Sequence, residues 1–132
     1  MFYKQLLLIF IFTASLCYGQ KDYSITSMDF VEVVDSNEEE AWFYYENNWK
    51  VLRQMALKKG YIQSFKLLKD MSKDKNNFSI VLMTSYKDSL QFQKREEHFQ
   101  ELIKQRGELS LLNEKQPAEF RKTVFSKDFT NQ

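Results

Sequence analysis

The sequence predicts an α+β domain with the element order β-α-β-β-α-β, in which a four-stranded antiparallel sheet is covered on one face by two helices. Three observations lead there. Two segments place apolar residues at helical spacing, each opened by a polar cap and closed at a glycine. Four shorter segments read as strands, separated by polar turn residues. The chain of 132 residues has only three Gly and one Pro, so it has room for one core and little irregular structure.

The elements follow in order. The opening MFYKQLLLIFIFTASLCYGQ has one early charge, Lys4, then an apolar run from Leu6 to Phe12, then small and polar residues. That is the pattern of a secretory signal peptide, too short to span a bilayer. Cleavage is expected after Gly19, which leaves residues 20–132 as a single exported domain, bound for the periplasm or the cell exterior and without a transmembrane segment. A lipoprotein would place a small residue directly before Cys17. Leu16 stands there, which disfavours lipidation without removing it as an alternative. Cleavage also removes the one cysteine, so the mature chain has no disulfide.

Residues 24–34, SITSMDFVEVV, read as a strand apolar on both sides: Met28, Phe30, Glu32 and Val34 on one, Asp29, Val31 and Val33 on the other. Asp35, Ser36 and Asn37 follow as a turn and helix cap, and Glu38, Glu39 and Glu40 suit a helix N-terminus. The first helix is expected to run to Lys59 and stop at Gly60, which can take the left-handed conformation. Trp42, Tyr45, Trp49, Leu52 and Ala56 form one stripe, with Tyr44, Val51 and Met55 beside it. Glu46, Lys50, Arg53, Gln54 and Lys58 are expected on the solvated side. Asn48 projects between the two stripes, where a buried amide needs partners. Bonds to nearby backbone or water are the expectation for it.

Residues 61–70 read as the second strand, with Tyr61, Phe65 and Leu67 on one side, and SKDKNN as a hairpin loop. The third strand, 78–86, directs Phe78, Ile80, Leu82, Thr84 and Tyr86 one way and Val81 and Met83 the other. Asp88 caps the second helix and Gln91 completes a capping-box pattern. That helix turns Phe92, Phe99, Leu102 and Ile103 inward and ends near Gly107. A connector follows, with a helical turn expected at 109–113 before Pro117, and residues 119–128 read as the fourth strand. This order is that of the ferredoxin-like split βαβ arrangement.

Composition narrows the functional classes. With 19 basic and 18 acidic residues there is no basic excess for a nucleic-acid surface. Loss of Lys4 with the leader leaves the mature chain balanced. One His and no mature Cys cannot build a closed zinc site, and three consecutive Glu splay around a helix instead of converging. No GxSxG, GxGxxG or P-loop pattern occurs.

The layout, most closely in NNWKVLRQMALKKGYIQSF, resembles the dimeric α+β barrel superfamily and its small exported members of unknown function. The resemblance covers the mature chain and implies a homodimer paired sheet to sheet. Physical reasoning agrees, because Val31, Val33, Val81 and Met83 are expected on the uncovered face, where they would be too apolar for water. The resemblance also implies a pocket between sheet and helices, which Tyr45, Asn48, Trp49, Phe65, Tyr86 and Phe99 would line. Such a pocket suits a small apolar or aromatic ligand. With 12 Phe in so small a domain, side chains filling that space is the plainer expectation. No cofactor and no catalytic residue follow from the residues themselves. Resemblance to haem-degrading and other monooxygenase members brings the alternative of a haem-handling enzyme, with His98 as the helix histidine. The polar neighbours of His98 point to a solvated side chain instead.

Overall fold

The computed structural model describes residues 23–72 and 77–131. The expected leader, with Cys17 and the expected cleavage point, lies outside the described residues, as do residues 73–76 of the expected hairpin loop and the last residue, 132. Strand β1 is Ile25–Val33. The first helical run is α1, Glu38–Tyr44, then a π-helical turn at Tyr45–Trp49, then α2, Lys50–Lys58. Strands β2, Ser64–Lys69, and β3, Ile80–Tyr86, come next. The second helical run is α3, Ser89–Gln93, and α4, Arg95–Arg106; a one-turn helix α5, Pro117–Phe120, leads into β4, Arg121–Thr130.

The strands form one antiparallel sheet in the order β2-β3-β1-β4. Side chains alternate across it, and the register decides which face each one joins. Ile25, Ser27, Asp29 and Val31 lie opposite Tyr86, Thr84, Leu82 and Ile80. These residues face the helices, where Val31, Ile80 and Leu82 pack with Ala41, Tyr45, Trp49 and Phe120, and Tyr86 packs with Ala56, Ile62 and Leu102. Met28 and Phe30 lie opposite Met83 and Val81 on the other face. The expected grouping of Val31 and Val33 with Val81 and Met83 is therefore corrected. β1 is apolar on both sides, so its sequence gave no parity, and pairing with β3 set it.

A bulge in β4 between the partners of Phe30 and Val31 inserts Val124 without a partner. Before it, Arg121 and Thr123 face the helices; after it, Ser126 and Asp128 do. The same step keeps Phe125 and Phe129 on the open face, where both are substantially exposed. There Phe30 stacks on Phe125 at 4.3 Å, and Phe78 meets Phe30 edge-on at 4.9 Å.

The terminators behave as their chemistry demands. Gly60 has φ +70°, its N–H bonds Leu57 O at 3.1 Å, and Tyr61 N–H bonds Ala56 O at 2.9 Å, which together form a Schellman motif. Asp88 accepts from Gln91 N–H at 2.8 Å, and the Gln91 side chain accepts from Lys87 N–H and donates to Gly60 O, joining the two helix boundaries. Asn37 departs from expectation. It precedes α1, but its amide donates to Val34 O at 2.8 Å instead of capping the helix, while Asp35 and Ser36 make the turn at φ +51° and +57°. The helical turn expected at 109–113 forms instead at Pro117–Phe120, where proline fixes the first helical position and Glu119 reaches back to Gln116 N–H at 2.6 Å.

Nothing crowds a Cβ placed on Gly60, so Gly60→Ala tests backbone conformation alone. Chemical denaturation is expected to show a loss of about 1 kcal/mol, the cost of a left-handed alanine.

Candidate functional site

The aromatic segment WFYYENNW contains the π-helical turn. A π turn, built on i→i+5 bonds, is often found at functional positions. Asn48 lies within it. Its Nδ2 donates to Tyr44 O at 2.9 Å and to Ser110 O at 2.7 Å, and its Oδ1 accepts from Ser110 N–H at 2.7 Å. The buried amide thus pins the connector after α4 to the turn, with help from Arg106, which donates to Asn47 O at 2.8 Å.

Two clefts lie between the helices and the sheet. One, of about 290 Å³, is lined by Tyr44, Tyr45, Asn48, Trp49, Leu52 and Leu82, with Ile103, Leu109, Arg121 and Thr123. Burial holds the Tyr45 phenol well above its ordinary pKa, so it stays protonated. The other cleft, of about 430 Å³, lies over the far end of the sheet. Ser27 and Asp29 of β1, Tyr86 of β3, and Ser126 and Asp128 of β4 form its floor; Arg53 of α2 and Arg95, Glu96 and Phe99 of α4 form its wall.

Arg53 is the chemical centre of this second cleft. Its guanidinium lies 4.1 Å from the Phe99 ring and 4.7 Å from the Trp49 ring, and Nε donates to the buried Thr84 hydroxyl at 3.1 Å. No hydrogen bond or ion pair joins its terminal amino groups to any described residue. Desolvation pushes its pKa down to about 10, with nearby Tyr86 and Asp29 offsetting only part of that cost. A cation with a depressed folded pKa weakens folding at neutral pH, and the penalty lifts only as pH rises past that value. The carboxylates across the cleft are occupied locally: Ser126 donates to Asp29 at 2.6 Å and Ser27 to Asp128 at 2.7 Å.

The structure divides the seven residues singled out from the sequence. Tyr45, Asn48 and Trp49 line the smaller cleft, and Tyr86 and Phe99 the larger. Phe65 packs edge-on against Trp49 at 5.9 Å as part of the core. His98 lines neither cleft. It stacks on Tyr61 at 3.7 Å and 7°, with Nδ1 buried and without a partner among the described residues. It is half-buried, not solvated, because Tyr61 is held over it by Glu101, which also takes Lys59 at 2.6 Å. Tyr45, Trp49 and Tyr86 are buried members of the core, with Phe65 and Phe99 packed against it, and the two clefts open beside them.

Arg53 corrects the helix reading. It was expected in solvent, yet it stands four residues after Trp49 and so shares that side of the helix. Its charge obscured a position that its spacing gave correctly. Asp29, Asp128 and Arg95 had no signal of their own; only the sheet register and the β4 bulge bring them together. Among the described residues no cluster of His, Cys, Asp and Glu could hold a metal, and no helix is long and apolar enough to cross a membrane. Comparison with protein families, curated proteins and solved structures finds no match.

Two substitutions separate structure from site. Asn48→Ala removes three hydrogen bonds, leaves the Ser110 N–H and carbonyl without their Asn48 partner, and is expected to cost on the order of 3 kcal/mol in urea unfolding. Arg53→Met removes a poorly compensated cation from the same helix and is expected to stay within about 1 kcal/mol of the parent protein at pH 7.

Proposed function

We propose that this protein is an exported homodimer of ferredoxin-like α+β barrel type that binds a small aromatic ligand between its sheet and helices. The observation that carries the reading is the larger cleft, which stays open at about 430 Å³ after Tyr86 and Phe99 have packed. That volume falls in the range of small-molecule sites, and two aromatic residues, Tyr86 and Phe99, stand in the cleft among polar and charged ones.

The dimer reading rests on the opposite face of the sheet. Met28, Phe30, Val81, Met83 and Phe125 form a continuous apolar centre there, with Leu68 and Phe129 at its edges. Phe125 and Leu68 are each 39% exposed and Phe129 46%. A patch of this kind on an open sheet face can pair with a second copy of itself across a two-fold axis. Lys66 and Lys127 stand on the same face, and Lys127 Nζ lies 5.7 Å from the Phe125 ring, giving the patch a polar border.

Native mass spectrometry of the protein from its own envelope fraction tests all three parts of the reading. The expected species is a dimer that starts at Gln20 and carries a stoichiometric small molecule. A bare monomer that keeps residues 1–19 would sink it. Phe125→Lys places like charges at the centre of the proposed interface. It is expected to shift the protein to monomer in sedimentation velocity, with its circular dichroism spectrum unchanged.

A further inference from the structure

The larger cleft carries charges of both signs that do not pair with each other. Arg53 presents an unpaired guanidinium edge from the helix wall. Arg95 stands beside it, with Nη1 donating to Phe92 O at 2.9 Å and its guanidinium 3.9 Å from the Phe92 ring. The floor presents Asp29 and Asp128, and the rim Glu96. No ion pair within 4.0 Å links any of these across the cleft among the described residues, although oppositely charged groups share one cavity.

That arrangement selects by charge. A neutral apolar ligand would leave Arg53 desolvated and unpaired, which is costly. A dianion such as a phosphate would compensate Arg53 but meet three carboxylates. A free cation would suit the floor and be repelled by the wall. A ligand bearing one carboxylate and one ammonium satisfies both sides.

The arginine geometry supports the carboxylate end. The Trp49 and Phe99 rings hold the guanidinium plane and Thr84 occupies Nε, so the two terminal amino groups are left as a fork of the kind that takes a carboxylate with two parallel bonds. On the floor, the Ser27 and Ser126 hydroxyls fix the Asp128 and Asp29 carboxylates while leaving each lone pairs to accept from an ammonium. Phe99, half-buried, supplies the exposed ring of the same cleft, and the buried Tyr86 contributes an edge to its floor.

We infer that the cleft between α2, α4 and the β1–β4 edge binds a small aromatic zwitterion of the amino-acid class, with its carboxylate on Arg53 and its ammonium on Asp29 and Asp128. This rests on the ligand-binding reading above and deepens it.

Isothermal titration of the mature protein with L-phenylalanine, 3-phenylpropionate and phenethylamine tests the inference. The three share a ring and differ in which charged groups they carry. Phenylalanine is expected to bind at least 10-fold more tightly than either analogue. Arg53→Met is expected to abolish the preference over phenethylamine while the protein stays folded, and Asp29→Asn to weaken phenylalanine far more than phenylpropionate. Either analogue binding as tightly as phenylalanine, or no binding by any of the three, overturns the inference. Indole, which is uncharged, separates this failure from that of the broader reading: if it binds where phenylalanine does not, the cleft is a ligand site of another chemistry, and if neither binds, both readings fall.

Discussion

Everything in this domain depends on the alternation of side chains along β1, which with β3 is one of the two strands paired on both edges. Ser27, Asp29 and Val31 point to the helices while Met28 and Phe30 point away, and no residue can serve both sides. Val31 anchors the core, Asp29 belongs to the cleft, and Phe30 centres the aromatic cluster on the open face. A slip of one residue would bury Met28 and Phe30 under the helices and expose Val31. The β4 bulge extends this constraint to the edge. It allows Thr123 and Ser126, an odd number of positions apart, to face the same way.

Within that frame the helices meet the sheet with two kinds of glue. Around Tyr45, Trp49 and Ala56 contact is apolar and close. Around Asn48 it is polar and fully paired, and that pairing holds the long connector in place. Buried polar groups with every partner present fix one arrangement among many apolar ones. Arg53 belongs to neither kind. Ring faces and a single hydroxyl hold it, and its remaining donors have nothing to do within the protein. Those donors are not among the buried unpaired atoms of the described residues; they open on the cleft, where water can meet them.

Much of the architecture was legible in the sequence, because its punctuation is chemical. Gly60 is needed for its positive φ, Asp88 for its cap, and β3 for its apolar run, and each sits where it was expected. The parity of β1 was not legible, because Asp29, Val31 and Val33 are no more apolar as a set than Met28 and Phe30. The connector was misplaced because its geometry comes from Asn48, more than sixty positions earlier, and not from local propensity. The site was legible only as scattered aromatics. Its charges come from four separate segments of chain, and no local pattern joins residues 27–29, 53, 95–96 and 126–128. Only Arg53 offered a clue, four positions from Trp49, and its charge argued the other way.

The packing of Arg53 against Trp49 also makes the cleft optically visible. Of the two tryptophans in the chain, Trp42 lies back toward α1, while Trp49 holds a fixed positive charge 4.7 Å from its ring. Indole emission responds to the local electric field, so the colour of Trp49 fluorescence depends on what the guanidinium beside it is paired with. A negative group arriving at Arg53 changes that field without touching the indole. The protein therefore carries its own reporter, one shell behind the cleft wall.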